Sequence, residues 1–266
     1  MQETIIEGLL VKQRRTWNRS LGQAGAVVAV ILISFWYVGL FDWQRLVEGG
    51  PSMATLLREM LPPNFTDAPR WLKPLLDTLA MSIAGTALAV GFSLLLGFLA
   101  ARNTSPHPVA YQGSRAILNG LRSIPELIMG IIFVAAVGFG ALPGVLALGL
   151  HSIGMVGKFF AEAIEHVNEA PVEAARAAGA TSLQVVTHGI LPQVLPQMAD
   201  VAVYRWEYNF RASTVMGMVG AGGIGFELMA SLRLMQYQDV SAILIVILIM
   251  VTLVDSFSSH LRSRFK

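Results

Sequence analysis

The chain has 266 residues, of which 54% are hydrophobic and 14% charged, where an ordinary globular protein carries about a quarter charged. With a mean hydropathy of +0.59, that composition excludes a soluble domain with a wet surface. A formal charge of +2 argues against a nucleic-acid surface, and the absence of cysteine excludes disulfides, thiolate metal sites and a cysteine nucleophile.

A membrane-crossing helix needs about 20 mostly apolar residues. Lys12, Arg14, Arg15 and Arg19 sit in a tail, residues 1–20, ahead of an apolar stretch over 21–41. This stretch is longer than a signal-peptide core of about 7–15 residues. It closes in Phe35-Trp36-Tyr37 and Phe41-Asp42-Trp43, an aromatic interface belt and not a cleavage site. It is read as a retained first span. No charge falls between Asp77 and Arg102, the second span. The uncharged run 127–157 is too long for one helix and contains Gly138, Gly140, Pro143 and Gly144. It is divided into a third span over about 114–137 and a fourth over 142–161. A fifth over 193–219 carries charges, and a sixth covers 239–260.

Six spans put both termini on one side of the membrane. The basic tail before the first span, Arg102 and Arg115 after the second, and Arg262, Arg264 and Lys266 after the sixth make that side cytoplasmic. The first loop, 42–77, has four basic and five acidic residues and suits the outer face. Within span two, Gly85, Ala89, Ser93 and Gly97 recur every four residues along one face. Such a face lets backbones approach closely in lipid; it is read as an internal packing seam, with a homodimer seam as the alternative.

The segment 162–192 is too polar for lipid and lies on the cytoplasmic side. Pro171 suits a first helical turn, Gly179 interrupts the helix, and Thr181-Ser182 offer a cap for its restart. Pro192 and Pro196 close the region. The expectation is a short helix–glycine–helix knob whose alanines leave a shallow surface for another protein; an ordinary surface loop is the alternative.

Glu173-Ala174-Ala175, then Gly179, then Leu191-Pro192 resemble the EAA loop of ABC importer permeases. The resemblance implies that these residues form a coupling helix fitting a cleft in an ATP-hydrolysing subunit. Position 189, usually aliphatic in that family, is Gly189 here, with Ile190 one step later. The block from Val203-Tyr204-Arg205-Trp206 through Arg211 to Gly225, together with Leu61-Pro62-Pro63-Asn64-Phe65 and Arg122-Ser123-Ile124-Pro125-Glu126, is similar to the phosphonate importer permeases, some of whose relatives are associated with phosphite and hypophosphite. The match covers nearly the whole chain. It implies a homodimeric permease in the bacterial inner membrane, two ATPase subunits that bind ATP and magnesium, and a periplasmic binding protein that delivers substrate.

Arg205, Glu207 and Arg211 fall in or beside span five, where ionisable groups face a cavity or a partner. Arg205 and Asn209 share a helix face; Arg211 is offset by roughly 120°. One reading places Arg205, Glu207, Asn209, Arg211, Ser213 and Thr214 along a path for oxyanions, since arginine's planar fork grips two oxygens at once. The other makes the charges a structural ion-pair cluster. Gly220, Gly222, Gly223 and Gly225 formally match a dinucleotide fingerprint, but no strand precedes them. They are read as a turn or re-entrant segment near the outer mouth, with a gate as the sharper alternative.

No G-x-x-x-x-G-K-[ST] occurs, so ATP must bind elsewhere. The histidines, His151 in span four among them, show no metal-like spacing, and no catalytic arrangement is visible. The sequence therefore predicts an all-α bundle of about six membrane helices, with an import-permease function and no cofactor of its own. Its rivals are an ion-gradient-driven anion transporter, which calls for an internal repeat not found here, and an intramembrane enzyme.

Overall fold

The computed structural model describes the backbone of residues 2–264, and the side chains of that range except those of residues 2–12 and 15. The side chains of Lys12 and Arg15, and all of Lys266, thus lie outside the described residues. Every described element is helical, and the chain forms two compact units, Met1–Arg58 and Glu59–Lys266.

The first unit consists of α1, Gln2–Tyr37, and α2, Trp43–Glu59. Residues 2–20, read as a tail, are the opening turns of the same helix as the first span. That helix stops at Tyr37, not at 41. Gly39 takes a left-handed φ of 78°, its N–H bonding Trp36 O at 3.1 Å while Leu40 N–H bonds Phe35 O at 2.9 Å. The glycine cap therefore ends the helix before the hydrophobicity does. α2 lies inside what the charge count treats as a loop.

In the second unit a 3₁₀ turn, Ala68–Trp71, leads into α3, Leu72–Ala100, followed by α4, Pro108–Ser123, α5, Glu126–Val137, and α6, Ala141–Glu165. A short α7, Glu169–Ala177, and one turn, α8, Ser182–Gln184, lead through a π turn, Val185–Ile190, into α9, Leu191–Met216. After a 3₁₀ turn, Gly217–Val219, come α10, Ile224–Arg233, and α11, Tyr237–Arg262. Among the described residues, four helical stretches are long and apolar enough to cross a membrane, those containing Thr16–Tyr37, Ala68–Ala100, Ala141–Glu165 and Tyr237–Arg262. The count reaches six when the bent pairs α4/α5 and α9/α10 each make one span.

The third span is therefore not the straight helix expected over 114–137. It breaks by 86° between α4 and α5, because Pro125 supplies no N–H and holds Ile124 extended at ψ 122°. Pro196 does not close a region either. It sits inside α9, four residues after Pro192, so the carbonyl it leaves free falls in the helix's first turn.

The core is a seam between α3 and α6. Gly85, Ala89, Ser93 and Gly97 are all buried on it. A Cβ added at Gly85 would stand 3.1 Å from Leu148 Cβ, and one at Gly97 2.9 Å from Phe160 Cβ. Ser93 Oγ donates to Ile153 O at 3.2 Å. The small face of the second span is thus an internal seam. Gly154 of α6 lets α4 in equally close: a Cβ there would lie 2.7 Å from Leu118 O and 2.8 Å from Arg122 N. Neither backbone atom yields without moving α4. Gly154→Ala should cost about 1–3 kcal/mol, read as a lower thermal midpoint in mild detergent. Gly91→Ala, with nothing within 4 Å, should not lower the midpoint, since alanine is the better helix former.

Candidate functional site

The polar segment 162–192 folds as a compact knob. Asn168 caps α7 by accepting from Ala170 N–H at 3.0 Å, which puts Pro171 in the first turn. Gly179, at φ 79°, ends α7: Ala180 N–H bonds Ala175 O at 3.1 Å and Gly179 N–H bonds Arg176 O at 3.0 Å. Thr181 and Gln184 then cap each other reciprocally. The underside is apolar, with Val172, Val185 and Ile190 buried. Gly189 is buried against the backbone of α7, where an added Cβ would lie 3.4 Å from Val172 Cα. Glu173, Ala174 and Gly179 stay exposed and Ala175 half-buried. Leu191 and Pro192 open α9, so the knob joins the fifth span with no loop between them.

Fourteen residues beyond Leu191, about 21 Å along a helix, α9 carries two polar clusters. The first is buried. Arg205 Nε donates to Ser152 Oγ at 2.8 Å, Ser152 Oγ to Asn209 Oδ1 at 3.0 Å, and Asn209 Nδ2 to Thr86 Oγ1 at 2.9 Å. The other side of the Arg205 guanidinium lies over the Tyr208 ring at 4.2 Å, with Nη2 3.8 Å from Glu126 Oε2. Tyr208 donates its hydroxyl to Glu126 Oε1 at 3.2 Å. His151 Nδ1 lies 3.1 Å from Ile124 O, the carbonyl that the break frees, and its Nε2 lies 3.8 Å from Glu126. Arg205 is 4% exposed and Asn209 0%. One buried cation thus ties α9 to α6 and to the broken end of α5, and through Asn209 to α3.

The second cluster is half-buried. Arg211 pairs with Glu207 one turn back at 3.0 Å and with Asp255 of α11 at 2.9 Å. Ser258 donates to Glu207 Oε2 at 3.1 Å, and Arg262 approaches the same oxygen at 3.6 Å. Each of the two arginines, Arg205 and Arg211, thus faces an acid. Ser213 is buried, its Oγ 3.2 Å from Thr78 O and 2.7 Å from Phe210 O, and Thr214 donates to Arg211 O at 2.7 Å. Both hydroxyls thus serve backbone carbonyls.

Gly220, Gly222 and Gly223 turn the chain between α9 and α10 with φ of 102°, 75° and 75°. Ile224 N–H, freed by the turn, donates to Thr78 Oγ1 at 2.9 Å. At Gly225 any Cβ would run into Thr214 O. Beside the turn is a cleft of about 500 Å³ lined by Arg70, Lys73, Asp77, Glu227, Gly222 and Gly223.

Sequence reasoning missed Glu126, His151 as its neighbour, Ser152, Tyr208, Asp255 and Arg262. Pro125 beside a lone acid was the available signal for Glu126. The stripe Asp255, Ser258, Arg262 along span six was the signal for the second cluster.

A model of the family described as "Binding-protein-dependent transport system inner membrane component" matches residues 93–266. The phosphite transport system permease protein PtxC of Stutzerimonas stutzeri is 72% identical over 94% of this chain and 91% of its own. The putative phosphite transport system permease protein HtxC of the same organism is 39% identical over 98% and 94%. In an inward-facing MetNI methionine ABC transporter, a chain at 23% identity superposes with a TM-score of 0.63 over 74% of this chain and 96% of that one, a likeness of fold.

Glu126→Leu alone strands the buried Arg205 charge and should cost about 3–5 kcal/mol. Pairing it with Arg205→Met should recover most of that in detergent unfolding. A double variant no more stable than the single would show that the pair does not hold the break. Arg211→Ala, at a half-exposed cluster, should cost about 0–1 kcal/mol.

Proposed function

The chain belongs to the family of binding-protein-dependent transport system inner membrane components, and on that premise we propose that it is the permease subunit of an ATP-driven importer for phosphite or a closely related reduced-phosphorus oxyanion. The observation that carries the substrate class is its 72% identity over 250 residues to a phosphite permease. The chain contains no phosphate-cradling loop, so ATP and magnesium belong to a separate ATPase subunit. Glu173, Ala174, Ala175 and Gly179 form the surface on which that subunit docks, and Leu191-Pro192 pass its motion into α9. The exposed alanines and the capped, rigid ends of α7 support this role.

Two copies of the permease and two ATPases make the working unit, with both chain ends cytoplasmic and a periplasmic binding protein on the opposite face. ATP closes the ATPase pair and displaces the knob. α9 runs unbroken from Leu191 to Met216, so it moves as one lever from the knob to the arginines. Of the two, Arg211 is the pathway candidate: its side chain is 42% exposed against 5% for Arg205. Its charge is already shared by Glu207 and Asp255, so an oxyanion meets it weakly and leaves again. Arg205 serves as the structural anchor. The glycine turn sits where a gate would act.

Tagged permease extracted in mild detergent should bring down a P-loop ATPase, and Ala174→Arg or Gly179→Asp should remove it. If the chain comes down alone, or the variants keep the ATPase, the knob is not the coupling surface. In vesicles holding the assembled complex, labelled phosphite should be taken up with ATP, and uptake should fall at least tenfold for Arg211→Ala while the ATPase still co-purifies. Unchanged uptake by Arg211→Ala would end its role in the path, and preference for phosphate over phosphite would overturn the substrate class.

A further inference from the structure

α2 has no core of its own. No residue of it is buried, and Trp43, Leu46, Val47, Met53 and Leu57 are each more than half exposed. At 3.6 residues per turn these five side chains fall in an arc of about 120°, while Gln44, Glu48, Ser52 and Thr55 lie opposite. The polar face is satisfied locally: Gln44 donates to Glu48 Oε1 at 3.0 Å, Ser52 to Glu48 O at 3.3 Å and Thr55 to Pro51 O at 3.0 Å. Among the described residues the apolar face has no buried counterpart.

Its place in the chain says what covers that face. The stretch Thr16–Tyr37 of α1 is long and apolar enough to cross a bilayer and ends in Phe35, Trp36 and Tyr37, with Phe41 edge-on to Phe35 at 6.3 Å between ring centroids. Aromatic residues gather where hydrocarbon meets headgroups. Only residues 38–42 separate this belt from α2. At 17 residues, with Arg45, Glu48 and Pro51 inside it, α2 is too short and too polar to cross back. Its charges, Arg45, Glu48, Arg58 and Glu59, cancel, so the helix neither needs anionic lipid nor offers a charged surface to an oppositely charged protein.

We infer that α2 is an interfacial helix, lying in the headgroup boundary of the leaflet into which α1 emerges, with Trp43, Leu46, Val47, Met53 and Leu57 in the acyl region and Glu48 and Ser52 in water. The inference rests on α1 crossing the membrane and is independent of the transported substrate. It gives the segment between the first two spans a fixed level, from which the chain enters Met60–Asn64. There Met60 O accepts from Ser241 at 2.6 Å and Asn64 Nδ2 donates to Asp239 at 2.8 Å.

The absence of native cysteine makes the test direct. Single variants Gln44→Cys, Leu46→Cys, Val47→Cys, Glu48→Cys, Thr55→Cys and Leu57→Cys of the full chain carry one nitroxide each, in vesicles of phosphatidylethanolamine and phosphatidylglycerol. All six positions are exposed, so the substitutions spare the fold. Spin relaxation should be dominated by oxygen at 46, 47 and 57 and by a water-soluble nickel chelate at 44, 48 and 55, the ratio swinging severalfold with a helical period. Access of the nickel chelate all round would mean a helix standing in water. Exclusion of both reagents at 46, 47 and 57 would mean that a protein, such as the binding protein or a second copy, covers the face. Either result overturns the inference.

Discussion

Inside a bilayer there is no water to satisfy a freed backbone group, and two of this chain's candidate spans are bent helix pairs. Each break is answered by side chains from another helix. At the first, the Ile124 carbonyl that Pro125 sets loose lies against His151. Glu126, the first residue after the break, is held by Tyr208 and faces Arg205. At the second, Thr78 takes Ile224 N–H, and Gly140 N–H meets Gly220 O across the two turns at 3.3 Å. Side chains of α6 and α3, His151 and Thr78, thus meet the freed backbone groups, while Arg205 and Tyr208 of α9 hold the Glu126 carboxylate beside the first break. Most of the second unit's architecture follows from that requirement.

Two kinds of packing result. Between α3 and α6 the contact is apolar and close, glycine against side chain, with Ser93 as its one polar stitch to the facing backbone. Around α9 the contacts are polar and directional, with a cation at each cluster. Close apolar seams have essentially one good arrangement, whereas ion pairs with a second acid within reach can exchange partners. α3 and α6 therefore suit a fixed frame and α9 a moving part. The knob passes into α9 without a loop, while residues 166–168 separate its first helix from α6.

The long spans and the knob were legible because lipid imposes a strong, simple pattern: runs of about 20 apolar residues, basic ends, and a polar island punctuated by Pro171, Gly179 and Thr181. What stayed hidden depends on direction and not on composition. Glu126 marked the edge of an uncharged run, so counting treated it as a boundary although it lies in the middle of a bent span. Arg211 and Glu207 are four apart and pair, but their second partner, Asp255, stands on a helix whose register against α9 no single sequence reveals. α2 was hidden for a different reason. Its apolar residues are spaced around polar ones, so no window over the first loop is apolar throughout.

The π turn over Val185–Ile190 bears on what this chain tolerates. Such a turn holds one residue more than the α-helix it interrupts. Here the turn leaves both residues buried, Gly189 against the α7 backbone at Val172 and Ile190 in the apolar cluster beneath the knob. Downstream, Arg205 and Asn209 still face inward. A one-residue deletion inside that turn would tighten it to an ordinary helical turn and leave the rotation of α9 unaltered. The same deletion a few residues later would swing the buried arginine toward lipid. Between the knob and the membrane the chain thus holds one spare residue, at the spot where losing it matters least.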